Sequence, residues 1–392
     1  MTRERAQAQV LQPWVSERRS TTTYKFRLYP TRQQEEKLDE TVETCRRLYN
    51  SLLAERMETR TGVFDQMHLI TQRRAEDKFL KQVQSHVLQD VAKRLDKAYG
   101  AFFAKLSRYP RFRRNARYNS LTFDYTGFSL HANRLRLSMI GDVRLLLHRP
   151  LLGTPKRVTV VKDIDQWYAC VSCETESPKG VEPRREGPTA VGVDLGVLKL
   201  ATLSTGLVFE NPRNLDNSVV RIMSLQRRLS RKRKGSANRE KAKVSLAKAW
   251  RKVRNQRLDV AHKVSHKLAS EHSTIVFEDL KILNMVKNHN LASAIMDASW
   301  GQLRRLTAYK AEKRGGRVML VNPSGTSQKC SRCGNVQDMP LSERVFSCER
   351  CGLVLDRDVN AARNILQAGL ERAHVEAAPL LVQRRRISKF GR

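Results

Sequence analysis

Four cysteines set the first chemical constraint. Cys330-Ser331-Arg332-Cys333 is followed, after fourteen residues, by Cys348-Glu349-Arg350-Cys351, and Gly334 or Gly352 closes each pair. Two such knuckles bring four thiolates into a tetrahedron around one Zn²⁺, with the glycines letting the backbone turn tightly beneath the metal. A disulfide framework is the rival use, but in a large chain without a secretion signal the thiols are expected to stay reduced. A closed sphere of four thiolates leaves no position for water, so this zinc is structural and the chemistry must lie elsewhere. Cys170 and Cys173 form a further CxxC. In an extended strand that spacing puts the two side chains on opposite faces, which assigns them to structure.

Acids in apolar surroundings are the candidates for that chemistry. Asp194 sits in the run Ala190-Val191-Gly192-Val193-Asp194-Leu195, where an unpaired carboxylate is costly and a metal ion would offset the cost. Glu278 and Asp279 end a second apolar run, Thr274-Ile275-Val276-Phe277. Strand neighbours point to opposite faces, so only one of the pair can share a site with Asp194. Glu278 is the choice because it falls on the face of Thr274 and Val276, a face that periodicity alone does not orient. Asp356-Arg357-Asp358 opens a helix whose N–H groups favour an ionised carboxylate at its start. Spacing leaves Asp356 and Asp358 as alternatives. Taken singly, a strand-end acid or a helix cap is structural more often than catalytic. Three of them on a meander, a later strand and a final helix can converge on two Mg²⁺ ions about 4 Å apart, one activating water and one stabilising the leaving oxygen of a phosphodiester.

The charge balance names the partner class. Lys and Arg number 74 against 39 Asp and Glu in 392 residues, a formal charge of +35. Such an excess repels itself unless a polyanion neutralises part of it, and nucleic acid is the natural polyanion. There is no apolar span of about 18 residues and no apolar stretch behind the basic N-terminus. A membrane is therefore not an expected partner, and a cytoplasmic, nucleoid-associated location is.

The elements that must position these residues follow from their periodicity. Residues 1–20 carry no apolar period and read as a disordered tail. Thr21 to Tyr29 alternates as a strand, and Thr31 with Gln34 gives a capping box for a helix whose apolar positions are Leu38, Val42, Cys45, Tyr49 and Leu52. Val83, Val87, Val91, Leu95, Ala98, Phe102 and Leu106 form one stripe, predicting a second long helix of about six turns. Tyr109-Pro110-Arg111-Phe112-Arg113-Arg114 breaks it and interleaves aromatics with arginines, which suits bases and phosphates as well as a solvated loop. Short alternating runs from Ser120 to Glu176 predict a compact β-domain, with 177–188 as its exit linker. From Thr189 the pattern becomes a β-meander, then two basic helices over 219–272 split near Lys234-Gly235-Ser236. Fifteen Lys and Arg lie between Arg221 and Arg257, beyond an ordinary solvated face. His262 and His266 are four apart on that second helix, but with no third ligand nearby they read as surface residues. The strand 273–280, a helix over 299–313 and the strand 318–321 complete the order.

Together these motifs resemble the TnpB family, proteins encoded by insertion sequences and related to type V CRISPR effectors. The resemblance spans about residues 22–370. It is carried by Tyr24-Lys25-Phe26-Arg27-Leu28-Tyr29-Pro30, Tyr49-Asn50, Tyr109-Pro110-Arg111-Phe112, Val193-Asp194-Leu195-Gly196, Val276-Phe277-Glu278-Asp279-Leu280, the cysteine knuckles and Asp356-Arg357-Asp358-Val359-Asn360-Ala361-Ala362. It implies a mixed fold with α/β, all-β and all-α parts. A β-barrel wedge domain takes 21–30 and 116–188, and a helical recognition domain takes 31–115. An RNase H-like RuvC nuclease domain takes 189–323 and 355–370, a four-cysteine zinc ribbon 324–354, and a basic tail 371–392. The resemblance also implies an Mg²⁺-dependent catalytic triad, Asp194, Glu278 and Asp358, selecting Asp358 over Asp356. It implies a guide RNA and double-stranded target DNA as partners, with no small-molecule substrate. By motif position, Tyr49, Gln89 and Thr122 are candidates for reading a short motif beside the target, and Arg111, Arg113, Arg114, Arg231 and Arg233 for holding nucleic-acid backbone. A nuclease-inactive guided regulator is the alternative, and a transposase a more distant one.

Overall fold

The computed structural model describes residues 20–387 apart from 115–116, 176–188 and 341–342, with Ser20 and 373–387 as backbone alone. The expected N-terminal tail, save Ser20, and the linker 177–188 therefore lie outside the described residues, as do the side chains of Arg384, Arg385 and Arg386. The chain divides into two compact units, 1–179 and 180–392.

The first unit is built on its N-terminal strand. β1 (Ser20–Tyr29) leads into α1 (Arg32–Thr59), α2 (Val63–Glu76), α3 (Lys78–Lys81) and α4 (Ser85–Phe103), and then β2 (Ser120–Asp124), β3 (Phe128–His131), β4 (Arg134–Leu137), β5 (Gly141–Leu146), β6 (Thr154–Asp163) and β7 (Gln166–Thr175). The sheet is seven-stranded in the order β2-β6-β7-β1-β5-β4-β3. β1 therefore lies in its middle, and α1 to α4 form an insertion between two parts of one sheet. Thr31 and Gln34 close the expected capping box on α1. Leu38, Cys45, Leu48, Tyr49 and Leu52 of α1 pack in one core with Val87, Val91 and Leu95 of α4. The long second helix is shorter than its stripe predicts. It ends at Phe103, Lys105 adopts a positive φ of 57°, and Leu106 is 83% exposed. Apolar spacing continued there past the point where the backbone leaves the helix. Cys170 and Cys173 lie on β7, half-buried and buried respectively, on opposite faces as expected.

The second unit carries β8 (Ala190–Asp194), β9 (Lys199–Leu203), β10 (Val208–Glu210), α5 (Asp216–Ser230), α6 (Ala237–Glu271), β11 (Thr274–Glu278), α7 (Ile282–Met285), α8 (His289–Ala298), α9 (Trp300–Glu312), β12 (Arg317–Val321), β13 (Val345–Ser347), β14 (Val354–Asp356) and α10 (Arg357–Ile387). Its main sheet runs β10-β9-β8-β11-β12, with β8 to β10 an antiparallel meander and β11 parallel to both β8 and β12. Parallel neighbours require crossovers, which α5–α6 and α7–α9 supply. One face buries Val191, Val193, Ile275 and Phe277 against Val264 and Leu268 of α6 and Leu303 of α9. The other buries Val276 and Val321 against Ile365 of α10. α10 runs on as backbone helix through residues read as a separate tail.

α10 lies unusually close to the sheet because glycines stand at both points of approach. A Cβ on Gly192 would fall 2.0 Å from the Ala362 carbonyl oxygen and 2.7 Å from the Leu366 nitrogen, both backbone atoms. A Cβ on Gly369 would fall 2.6 Å from a Val276 methyl. Gly192→Ala therefore forces helix and strand apart, and overpacking of this kind costs about 1–3 kcal/mol. The expected outcome is a lower denaturation midpoint for the second unit by circular dichroism.

Candidate functional site

Asp194 ends β8 and Glu278 ends β11, neighbouring parallel strands in which Val193 pairs with Phe277. Side chains two apart on a strand share a face, so Asp194 lies on the side of Gly192, against which α10 packs. Glu278 lies on the side of Val276, also against α10. This orients the face that periodicity left open. α10 brings Asp358 to the same side in its first turn.

The three carboxylates face one side without closing to within 4.8 Å of one another, and the electrostatics of Asp194 register both of its neighbours. Burial pushes its carboxyl up to about 7, the charges of Glu278 and Asp358 push in the same direction, and Arg357 and the Leu195 N–H only partly oppose them. Glu278 is likewise raised by burial, against the pull of the Thr326 hydroxyl, which donates to Oε1 at 2.6 Å. Among the described residues neither Asp194 nor Glu278 has a salt-bridge partner. Two such acids with no salt-bridge partner among the described residues suit a hard divalent ion with oxygen ligands.

The neighbouring acids are occupied otherwise. Asp356 accepts from the N–H groups of Asp358 and Val359 at 2.9 and 3.2 Å, capping α10. Lys199 donates to it at 2.8 Å. Burial raises the Asp356 carboxyl, but Lys199 and the helix N–H groups outweigh it and hold the group below its usual range. Lys199 also reaches Asp358 at 3.5 Å, tying the two acids together. Asp279 pairs with Lys281 and lies 3.6 Å from Arg304.

The cysteines gather as their spacing requires. Sγ of Cys330 is 3.7 Å from that of Cys351, Cys333 is 3.6 Å from Cys348, and all four sulfurs lie within 4.8 Å of one another. A tetrahedron with Zn–S bonds of about 2.3 Å has edges of about 3.8 Å, so the four thiols fit Zn²⁺. Gly334 and Gly352 turn beneath them at φ 76° and 69°. β13 pairs with β14 as the ribbon hairpin, and β14 runs straight into α10.

The sequence reading missed what joins this module to α10. Asn360 accepts from the Ser331 N–H at 2.9 Å and donates to the Lys329 carbonyl at 2.8 Å. Asn364 donates to the carbonyls of Thr326 and Lys329 at 2.8 and 2.6 Å. Two asparagines four apart amid Ala361, Ala362 and Ile365 were a readable signal, since buried amides must bond.

The nucleic-acid candidates fall out differently. Tyr49 is 2% exposed and Thr122 7% exposed, so the structure gives both core positions and presents neither ring nor hydroxyl at the surface. Tyr49 packs on Tyr118, Arg94 covers Tyr118 and bonds Thr122 at 2.7 Å. Gln89 is half-buried beside Ser85 and Lys81 in a separate cleft. Arg113 lies over the Tyr49 ring, its backbone clamped by Asn50 at 2.7 and 3.1 Å, while Arg111 and Arg114 are exposed. Arg231 and Arg233 are exposed in the turn between α5 and α6, which Arg239 closes on the carbonyls of Leu229 and Lys232. His262 and His266 are exposed and join no metal-binding cluster among the described residues. No described helix is long and apolar enough to cross a membrane.

Fold and site define the class: an RNase H-like, RuvC-type core with acids at one end of α10 and a four-cysteine module inserted before it. Residues 300–365 match the family model described as "Cas12f1-like, TNB domain", 168–289 one described as "Probable transposase", and 20–61 one described as "Helix-turn-helix domain". The last stretch is in fact a strand followed by a single helix. A protein of Streptomyces pristinaespiralis named "Putative RNA-guided DNA endonuclease" is 36% identical over 362 residues, 88% of this chain and 89% of that one. One of Escherichia coli (strain K12), "Putative RNA-guided DNA endonuclease InsQ", is 34% identical over 372 residues, 88% and 92% of the two chains. A Cas12f1 chain solved by cryo-EM with single-guide RNA and target DNA superposes with a TM-score of 0.56 at 13% identity, over 88% of this chain and 98% of that one. The chain belongs to the TnpB family.

Two outcomes follow. An acid whose pKa is raised on folding costs stability as pH rises from its unfolded value, ~4, to its folded one, here about 7. Without divalent metal, Asp194→Asn is therefore expected to be neutral near pH 4 and increasingly stabilising up to about pH 7, measured by denaturant melts across pH. Zinc content, measured by mass spectrometry of metals, is expected to fall from one ion per chain to none in Cys348→Ser, with loss of the ribbon's fold.

Proposed function

We propose that the protein is an RNA-guided DNA endonuclease that binds a guide RNA derived from the transposon end. It cuts guide-complementary DNA beside a short adjacent motif, by Mg²⁺-dependent hydrolysis. The observation that carries the catalytic reading is the face of α10. There Asp194, half-buried, and Glu278, buried, end neighbouring parallel strands on the side where α10 begins with Asp358, and neither has a salt-bridge partner among the described residues. The names of the relatives above, aligned over most of both chains, support the guided reading.

Asp194, Glu278 and Asp358 would hold two Mg²⁺ ions, which supply activation of water and stabilisation of the leaving oxygen when bound. Lys199 keeps Asp358 oriented, and the four-cysteine module would hold one structural Zn²⁺. Exposed Arg111, Arg114, Arg231 and Arg233 would contact phosphates, whereas base pairing with the guide carries target specificity. Gln89 remains the adjacent-motif candidate with partial exposure, while Tyr49 and Thr122 would act from within the core by shaping the surface around Arg94.

The test is co-expression with the flanking transposon DNA, sequencing of the bound RNA, and cleavage of a matching duplex with randomised flanks. A discrete bound RNA and Mg²⁺-dependent cuts are expected. Asp194→Ala should lower the rate by about a thousand-fold or more, the several kcal/mol that metal catalysis supplies. Bound RNA without cutting would leave a guided binding protein, and strand-transfer products would indicate a transposase.

A further inference from the structure

Glu278 is fixed at both ends. Its backbone carbonyl accepts from Arg304 at 3.0 Å, and its carboxylate accepts from Thr326 at 2.6 Å. A hydroxyl donating to an ionised carboxylate makes a short, charge-assisted bond that sets the rotamer of the acid while leaving its second oxygen for other ligands.

Thr326 is itself held from the opposite direction. It follows Gly325, which turns the chain at φ 76° and accepts from the N–H groups of Gln328 and Lys329, each at 3.0 Å. Asn364 of α10 grips the Thr326 carbonyl and the Lys329 carbonyl with one amide. Asn360 grips Lys329 and Ser331, the residues either side of Cys330. Both asparagines are buried, at 0% and 6% exposure, and burying an amide is costly unless it is bonded; Asn360 is bonded through its oxygen and its nitrogen, Asn364 through its nitrogen alone, its oxygen having no partner among the described residues. These amides therefore fix loop 323–331 rather than pack passively. The same short loop carries a zinc ligand at one end and the partner of a candidate catalytic acid at the other.

We propose that Thr326 is the positioning residue that aims Glu278 at its divalent cation, and that the first cysteine knuckle, through Asn360 and Asn364, holds Thr326 in place. The inference rests on the nuclease reading above. It makes the zinc module part of the cation site's geometry, acting through Thr326, rather than an independent appendage.

The test is Mn²⁺ binding by titration calorimetry to the full chain with zinc retained, with Asp194→Ala as the blank for binding outside the acids. Thr326→Val keeps the side chain's shape and removes the hydroxyl. It is expected to weaken the Asp194-dependent Mn²⁺ affinity by about 10- to 100-fold, with zinc content and melting temperature unchanged. Thr326→Ser restores the hydroxyl and is expected to bind within a few-fold of the parent, and Asn364→Ala to bind like Thr326→Val. Parental affinity in Thr326→Val, or equal loss in Thr326→Ser, would overturn the positioning role, and parental affinity in Asn364→Ala would overturn the link to the knuckle. If Asp194→Ala takes up Mn²⁺ like the parent, the cation site itself is wrong and the nuclease reading falls with it.

Discussion

Two carboxylates at the ends of neighbouring strands, Glu278 buried and Asp194 half-buried, with no salt-bridge partner among the described residues to neutralise them, are the expense around which the second unit is arranged. Burial raises both Asp194 and Glu278, and the charge of Glu278 raises Asp194 further. A fold selected for stability alone would place apolar residues at two strand ends packed under a helix. α10 could not approach these strands so closely without Gly192 on one side and Gly369 on the other, and its first turn brings Asp358 to the side of the sheet that Asp194 and Glu278 face. The opposite face of the same strands is an ordinary apolar layer under α6 and α9. One surface of the sheet thus supplies the stability that the other gives up.

The four-cysteine module enters this arrangement at both of its ends. At one end β14 becomes α10, with Asp356 capping the helix and Lys199 joining Asp356 to Asp358. At the other, loop 323–331 passes from Thr326 on Glu278 to Cys330. Two of the three acids are therefore positioned by segments that flank the thiols, while Asp194 is positioned by the sheet. A division of this kind makes the four-cysteine module part of the second unit's core and not an appendage to it.

Much of this was legible in the residues. CxxC pairs with glycines after them fix a zinc fold by themselves, and an aspartate inside Ala190-Val191-Gly192-Val193 has few physical excuses. The meander, the split pair of basic helices and the capping box at Thr31 followed from period and turn chemistry. What was not legible depended on long-range packing. Which face of β11 is covered by α10 is decided by Gly192 and Gly369 meeting partners more than ninety residues away in the chain. That Lys199 of β9 ties Asp356 to Asp358 is likewise something no local pattern reveals. Tyr49 lies on an apolar stripe and in a family motif at once, and only the fold shows that it is buried. The extra helical turn promised by Leu106 failed because spacing alone cannot show where a backbone turns left-handed.

Anomalous diffraction from crystals of the guide-loaded, DNA-bound protein grown in Mn²⁺ tests the central claim most directly. The account predicts Mn²⁺ peaks ligated by Asp194, Glu278 and Asp358, with Lys199 still on Asp356 and Thr326 still on Glu278, and a separate zinc peak among the four sulfurs. Zinc at the cysteines with no Mn²⁺ between the acids, and with substrate phosphate bound elsewhere, would contradict it.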